Sequence, residues 1–199
     1  MDSQEWDERY AAHDLVWSAG PNRMLADEVG ALPPGRALDV ACGEGRNALW
    51  LAANEWTVTA VDFSRVALDK AQRIAKERKL EVEWVLADVV EHTPSARAYD
   101  LVVVLYLQLA GPERRRAFAT AADAVAPGGT LLVIGHDSTN IADGFGGPQD
   151  PAVLYGPDDV AADLGSLQIV KAERVYRPVE TDAGPRTAID VLVRAARPA

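Results

Sequence analysis

Short apolar runs rich in β-branched residues alternate with helical segments along the first two thirds of the chain. The runs cover residues 37–42, 57–62, 82–88, 99–106 and 130–135. Between them apolar residues recur at helical spacing, as in the segment that Ser64 can cap. Strands joined by helices pair in parallel through right-handed crossovers. The pattern therefore predicts an α/β fold, a three-layer, Rossmann-like, doubly wound sheet.

The last quarter of the chain has a different pattern. Two β-prone runs, Leu167 to Val179 and Thr187 to Ala195, are joined by a short polar segment that ends in Gly184-Pro185. Runs joined in this way are typical of a hairpin. We therefore expect a mostly parallel sheet of seven strands that ends in an antiparallel C-terminal hairpin. The Pro127-Gly128-Gly129 triplet is expected to stop a helix before the fifth strand.

The 199 residues suffice for one core and not for two full-sized domains. We expect a single domain, with residues 1–35 as an N-terminal helical prefix and residues 36–199 as the core. Trp6 and Tyr10 lie at helical spacing in the prefix. The segment from Asp137 to Pro151 is rich in glycine and proline and long for a loop, which predicts a functional or mobile element.

Charge and cysteine content limit the partners. The chain has 20 Lys plus Arg against 30 Asp plus Glu, a net charge of −10, which argues against a nucleic-acid partner because binding phosphates needs a basic surface. The single cysteine, Cys42, has no partner for a disulfide or a zinc site, so we expect a reducing, cytoplasmic setting and no metal. The acidic N-terminus and the short apolar runs predict neither a signal peptide nor a membrane span.

Polar and glycine residues follow three of the predicted strands, where open parallel sheets bind ligands. Gly43-Glu44-Gly45-Arg46-Asn47 follows the first strand, and its glycines let the backbone approach a ligand at the start of a helix. Asp62 ends the second strand and can accept hydrogen bonds from a ribose diol. Asp88 ends the third and can accept one from the amine of adenine. These positions describe an adenosine site.

The glycine loop alone does not identify the adenosine cofactor. Gly43, Gly45 and Ala48 also fit the dinucleotide fingerprint, with Asp62 about where a ribose-binding acid should fall. Asp39 favours a different ligand, because a carboxylate four residues before Gly43 can face the amino group of an amino-acid moiety. A pyrophosphate would have no use for that charge.

Five motifs in order resemble those of the class I S-adenosylmethionine-dependent methyltransferases, over nearly the whole chain. They are Leu38 to Gly45, Val61-Asp62, Ala87 to Val89, Tyr99 to Val102, and Ala126 to Leu132. The first departs from the family in having Ala41 where a glycine is usual. Within the family, Gly43 to Asn47 and Trp6 to Tyr10 look most like small-molecule enzymes of the tellurite-resistance and thiopurine type.

The resemblance implies S-adenosylmethionine as cofactor, S-adenosylhomocysteine as product and a small-molecule acceptor. It implies that the cofactor-binding residues are Asp39, Ala41, Cys42, Gly43, Gly45, Arg46, Asn47, Asp62, Phe63, Ser64, Asp88, Val89 and Leu105. In the small-molecule group the prefix closes over the cofactor, so Trp17 and Asn22 are expected to be lid contacts.

The acceptor pocket is expected on the same rim of the sheet. Tyr106 and Gln108 follow the fourth strand, and the motif of Asn or Asp, two prolines and an aromatic residue that marks base-amino methyltransferases is absent there. His136 follows the fifth strand and can act as a general base on an acceptor hydroxyl or thiol. With the loop from Gly144 to Pro151, these residues would bind the acceptor, whose methylated atom is O, S, N or an oxyanion centre.

Two alternatives stay open from sequence. One is a nicotinamide-dependent oxidoreductase built on the same glycine loop, and the other is a non-catalytic S-adenosylmethionine-binding module. The pattern leaves the oligomeric state open between monomer and homodimer.

Overall fold

The structure is a computed structural model that describes residues 2–16 and 20–199. Trp17, expected to be a lid contact, lies outside the described residues. The helices are α1 (Ser3–Ala11), α2 (Arg23–Val29), α3 (Arg46–Ala53), α4 (Arg65–Arg78), α5 (Gly111–Ala124), α6 (Asn140–Asp143) and α7 (Pro157–Asp163). The strands are β1 (Arg36–Val40), β2 (Thr57–Asp62), β3 (Val82–Leu86), β4 (Tyr99–Leu105), β5 (Val125–His136), β6 (Gln168–Val179) and β7 (Arg186–Ala196).

The strands form one seven-stranded sheet in the order β3-β2-β1-β4-β5-β7-β6. Neighbours from β3 to β5 pair in parallel, and β7 pairs antiparallel with both β5 and β6. The predicted fold is confirmed, including the antiparallel C-terminal hairpin. The order reverses between β1 and β4, and a crevice opens at such a point beyond the carboxyl ends of the strands.

Helices cover both faces of the sheet, which explains why β4 is apolar along most of its length. Leu101 and Val103 pack with Leu25 of α2, Leu51 of α3 and Leu68 of α4 in one core cluster. On the opposite face, the alternate residues of β4 pack against α5 and α7 in a second cluster, which includes Val102, Val104, Phe118 and Val160. The strand has no face left for polar side chains.

The predicted break at Pro127-Gly128-Gly129 is wrong, because β5 already begins at Val125. Val125 pairs with Tyr99 before a register shift, and Gly128 takes a left-handed φ of 75°. The backbone N–H of Gly128 donates to the carbonyl of Arg197 at 2.9 Å. The segment is therefore an irregular strand start held by the end of the hairpin.

The glycine-rich segment after β5 is ordered by two buried side chains. Asp137 accepts hydrogen bonds from the backbone and hydroxyl of Thr139 and from Nε of Arg174. The amide of Asn140 accepts from the backbone N–H of Ile189 at 2.7 Å and donates to the carbonyl of Gly146 at 2.8 Å. These bonds tie the segment to the hairpin. Within the described residues, no helix combines the length and apolarity that a membrane crossing requires.

Candidate active site

A cavity of about 470 Å³ lies at the carboxyl ends of β1, β2 and β4. This volume is within the range of small-molecule sites, about 300–1,000 Å³. Its walls are the loop after β1, the N-terminal prefix, the residues that follow β4 and one residue of β6. Fourteen sequence-predicted site residues line it: Asn22, Ala41, Cys42, Gly43, Arg46, Asn47, Asp62, Phe63, Asp88, Val89, Leu105, Tyr106, Gln108 and His136.

Three predicted residues stand behind the wall of the cavity. Gly45 precedes α3 with a left-handed φ of 74°, and a Cβ there would lie 2.6 Å from the ring of Trp84. Ser64 caps α4 by accepting from the backbone N–H of Ala67 at 3.1 Å. Asp39 of β1 accepts a hydrogen bond from the backbone N–H of Ala48 in α3. All three shape the loop or the helix that carries lining residues.

Asp62 connects the two strand ends. Its Oδ2 accepts from the backbone N–H of Gly43 at 2.8 Å, and its Oδ1 accepts from that of Ser64 at 2.9 Å. Burial raises the pKa of this carboxyl against the opposing effect of these bonds. A carboxylate oxygen has two lone pairs, so each oxygen can also accept from a ribose hydroxyl in the cavity.

Asp39 is 1% exposed, and its Oδ2 has no hydrogen-bond partner within the described structure. Burial raises the pKa of Asp39 to about 7, and the nearby Asp62 adds to that effect. The side chain is therefore largely protonated in slightly acidic solution. Its predicted contact with the amine of a ligand stays a prediction, since Asp39 is not among the lining residues.

The prefix is fixed over the glycine loop by polar contacts from α4. Asp7 of α1 accepts from the hydroxyl of Ser64 and from the backbone N–H of Val66. The ammonium of Lys70 donates to the carbonyl of Tyr10 at 2.7 Å and to Glu44 at 3.0 Å. Glu44 also accepts from the backbone N–H of Val16 at 2.9 Å. The prefix therefore roofs the cavity.

At the opposite end of the cavity lies a group that we call the Asp190 cluster, consisting of Asp190, Tyr106, His136 and Arg177. Asp190 of β7 is fully buried and accepts from the hydroxyl of Tyr106 at 2.8 Å and from Nε of Arg177 at 2.6 Å. Nδ1 of His136 lies 3.3 Å from Oδ1 of Asp190 and has no hydrogen-bond partner among the described residues. Four elements of the fold thus meet at one carboxylate.

The charges of this end of the cavity depend on these contacts. Burial alone would raise the pKa of Asp190, but His136, Arg177 and Tyr106 together hold it below its ordinary value. Burial and the neighbouring Asp190 raise the pKa of Tyr106, so its hydroxyl stays protonated.

Two residues at the glycine-loop end of the cavity also have shifted pKa values. Burial lowers the pKa of Arg46, and Arg177 adds to that effect. Burial raises the pKa of the Cys42 thiol, which fits a packing role and not a nucleophile.

The loop from Gly144 to Pro151, expected to form part of the acceptor pocket, does not contribute to the cavity lining. It lies behind His136 instead, since a Cβ at Gly147 would come within 3.0 Å of Nδ1 of that ring. Its influence on the site is therefore indirect.

Sequence reasoning missed Arg177, Asp190 and Lys70. Arg177 lies near the end of β6 and Asp190 near the middle of β7, where nothing in the local pattern distinguishes them from other charged strand residues. A charged residue at the centre of the apolar run of β7 was the one available signal, because an unpaired buried carboxylate is costly. Their role depends on the register that places β7 beside β5.

Comparisons with known proteins agree on one family. Residues 37–129 match the model of a methyltransferase domain. The matched segment contains 93 of the 199 residues, just under half of the chain. A curated relative, the ubiquinone biosynthesis O-methyltransferase of Coxiella burnetii, is 31% identical over 95 residues, which are 48% of this chain and 41% of the relative. The match thus spans less than half of that relative.

Two solved structures share the methyltransferase fold over nearly the whole chain. The N-methyltransferase NodS from Bradyrhizobium japonicum, in complex with S-adenosylhomocysteine, has a TM-score of 0.74 at 21% identity, with 99% of this chain and 98% of that chain covered. TehB from Haemophilus influenzae has a TM-score of 0.76 at 15% identity, with 97% and 67% covered. At identities this low, both matches show the shared fold alone.

The residues that line the cavity fit S-adenosylmethionine, the cofactor of the methyltransferases that this chain resembles. The cavity has a carboxylate, Asp62, with spare acceptor capacity at the end of β2. Gly43 also lines it, and the hydroxyl of Tyr10 lies so close that a Cβ at Gly43 would be 2.8 Å away. The start of α3, with Arg46 and Asn47, borders the same space. The match to a methyltransferase domain favours this cofactor over the nicotinamide of an oxidoreductase.

Proposed function

We propose that the protein transfers the methyl group of S-adenosylmethionine to a small molecule bound at the strand ends. The observation that carries this proposal is the continuity of one cavity, with the glycine loop and Asp62 at one end and Tyr106 and His136 at the other. A cofactor and an acceptor can thus meet within a single enclosed space. When bound, the cofactor supplies an electrophilic methyl group on a sulfonium.

The cofactor end binds through backbone and carboxylate groups. Asp62 accepts from the ribose hydroxyls while it holds Gly43 in place. Asp88 follows β3 at the rim, where its carboxylate is exposed and can accept from the adenine amine. Arg46, at the start of α3, and Asn22, on the prefix, border the same space.

The acceptor end provides His136, Tyr106 and Gln108. His136 takes the proton of an acceptor hydroxyl or thiol as the methyl group arrives, and Tyr106 and Gln108 orient the acceptor. We propose that the methylated atom of the acceptor is O, S, N or an oxyanion centre. The name of the curated relative, an O-methyltransferase, favours oxygen as the acceptor atom. It does not identify the acceptor, because the segment matched by the family model ends at residue 129, before His136.

The prefix acts as a lid in this proposal. Tyr10 and Asn22 line the cavity from the prefix, and Lys70 and Glu44 fasten that prefix to the core. Excluding water keeps the methyl group from solvent and strengthens the electrostatic interactions inside. The buried thiol of Cys42 agrees with the reducing, cytoplasmic setting expected from composition.

Calorimetric titration followed by a turnover screen tests the proposal. S-adenosylmethionine and S-adenosylhomocysteine should bind with a stoichiometry of one, and NAD should not compete. S-adenosylhomocysteine should then accumulate with at least one small phenol, thiol, amine, carboxylate or oxyanion. Binding without turnover across the screen would favour the non-catalytic module, and preferential binding of NAD would refute the proposal.

The His136→Ala variant tests the base. It should bind S-adenosylhomocysteine as the wild type does and lose turnover of hydroxyl or thiol acceptors by roughly 100-fold or more, the usual contribution of a general base. Wild-type turnover in this variant would remove His136 from the reaction.

A further inference from the structure

Asp190 is the common partner of three side chains that border the acceptor end of the cavity. Tyr106 comes from the residue after β4, His136 from the end of β5 and Arg177 from β6. The carboxylate receives the hydroxyl of Tyr106 at 2.8 Å and Nε of Arg177 at 2.6 Å, both on Oδ2, whereas Nδ1 of His136 faces Oδ1 at 3.3 Å. Asp190 itself is fully buried and does not line the cavity.

The charge of Asp190 determines where a neutral His136 carries its proton. Arg177 and Tyr106 both donate to this carboxylate, so it is ionised. An unprotonated Nδ1 would set its lone pair against the anionic Oδ1, whereas a protonated Nδ1 directs a positive dipole to it. The favoured tautomer therefore has hydrogen on Nδ1 and a bare Nε2.

Packing holds the ring in that orientation. The ring of Tyr106 lies against that of His136 with centroids 4.9 Å apart. A Cβ at Gly147 would meet Nδ1, Cε1 and Cγ at 3.0–3.1 Å, so the backbone of Gly147 covers part of the imidazole. Nδ1 is buried while the side chain stays 14% exposed and lines the cavity, which leaves the remaining ring atoms to face it.

We propose that Asp190 is a positioning residue that fixes the tautomer of His136, so that Nε2 is the atom that accepts the acceptor's proton. This inference rests on the proposed function. The acceptor's X–H bond breaks with its proton going to Nε2, while the X–CH₃ bond forms. The methyl–sulfur bond breaks with its electron pair staying on sulfur, and the positive charge that leaves sulfur reappears on the imidazolium beside Asp190. The proton passes to solvent after product release.

Arg177 and Tyr106 have a separate part in this arrangement. Because both donate to Oδ2, they occupy the oxygen that His136 does not face and keep the carboxylate from rotating. Oδ1 is left for His136, apart from the long contact of 3.5 Å with the second guanidinium nitrogen of Arg177. The tautomer is thus fixed by a carboxylate whose own orientation is fixed.

Nitrogen NMR of the histidine-labelled protein tests this inference without any cofactor. The chain has three histidines, so the His136→Gln variant assigns the signal of interest. The wild type should show the proton of neutral His136 on Nδ1, and Asp190→Asn should shift the population toward the Nε2-protonated form. Asp163→Asn is the matched control, because Asp163 pairs with Arg114 at 2.9 Å away from the cavity, and it should leave the tautomer unchanged.

A turnover experiment completes the test. Asp190→Asn should lower kcat at least tenfold and leave the affinity for S-adenosylhomocysteine within twofold, while Asp190→Glu should recover part of the loss. Two results would overturn the inference: a wild-type His136 with its proton on Nε2, or a tautomer that Asp190→Asn leaves unchanged. The first is measured on the wild-type protein, so it does not depend on whether the variant folds. If the wild type turns over no acceptor, the proposed function fails while the tautomer measurement still stands.

Discussion

The ammonium group of Lys70 lies 3.0 Å from a carboxylate oxygen of Glu44 and also donates to the carbonyl of Tyr10. One α4 side chain thus joins the prefix to the glycine loop after β1. The pair is largely buried, with the two side chains 15% and 3% exposed. Removing the cation therefore takes the opposing charge from a buried carboxylate, which keeps its bond from the Val16 backbone N–H.

Lys70→Met should therefore loosen the prefix. We expect faster amide hydrogen exchange across residues 3–16 and an affinity for S-adenosylhomocysteine lowered several-fold. The matched control is Lys76→Met, at an exposed position in the last turn of the same helix. Equal exchange in the two variants would show that Lys70 does not hold the prefix.

Gly45→Ala should destabilise the protein more than Gly128→Ala. Both glycines have a φ near 75°, so both substitutions bring the strain of a left-handed alanine. At Gly45 the new Cβ would also lie 2.6 Å from the Trp84 ring and 2.9 Å from Ala71, whereas at Gly128 nothing lies within 4 Å. Overpacking should lower the free energy of unfolding by about 1–3 kcal/mol beyond the strain. Urea denaturation of both variants measures the difference, and equal losses would contradict this packing.

Asp62→Ala should weaken binding of S-adenosylhomocysteine by roughly 5- to 30-fold, or about 1–2 kcal/mol, because ribose hydroxyls and the Gly43 N–H lose their acceptor. Asp100→Ala is the control: that carboxylate also accepts from a backbone N–H, of Arg36 at 2.8 Å, but at the other end of β1. Calorimetry should separate the two, and similar affinities would argue against Asp62 as a cofactor ligand.

Asp39 should make the stability fall as pH rises. Its folded-state pKa of about 7 lies above the ordinary value of 3.8, so between these values the folded state retains a proton that the unfolded state has lost. The cost of ionising the buried Asp39 lowers the free energy of unfolding. This cost is absent below pH 4 and complete above pH 7, where it reaches up to about 4 kcal/mol.

Asp39→Asn removes this titration. The free energy of unfolding of the wild type relative to Asp39→Asn should drop by a few kcal/mol from pH 4.5 to pH 8. Other carboxyls cancel in the comparison because they are present in both proteins. A difference that does not vary with pH would mean that Asp39 is ionised throughout.

Gly147→Ala should disturb the acceptor end without touching the cofactor end. Gly146 and Gly147 have φ values of 72° and 74°, but only at Gly147 would a Cβ press on the His136 ring, at 3.0 Å. We expect Gly147→Ala to lower kcat severalfold more than Gly146→Ala, with equal affinities for S-adenosylhomocysteine. Steady-state kinetics with any acceptor found in the screen provides the measurement. Equal kcat values would show that the loop does not position His136.

The cofactor end was predictable because its residues are local in sequence. The turn at Gly43, the carboxylate at Asp62 and the strand ends that bring them together all follow from short patterns and from the edge that parallel strands share. The structure added bonds that the pattern could not reveal, such as the Gly43 N–H to Asp62, since these connect residues from different strands.

The acceptor end was predictable only in part. His136 and Tyr106 were found because they follow strands, but Arg177 and Asp190 lie within the antiparallel hairpin, whose register with β5 cannot be read from periodicity. A shift of one residue would turn Asp190 to the other face of the sheet.

The sequence by itself determined the fold and predicted the glycine loop as the place where a cofactor binds, because alternating strands and helices with a glycine turn permit few arrangements. The tertiary structure decided which distant charges share a carboxylate. It brought Lys70 to Glu44, 26 residues away in the sequence, and Asp190 to Tyr106, 84 residues away. Such contacts depend on packing and register, which are properties of the whole folded chain.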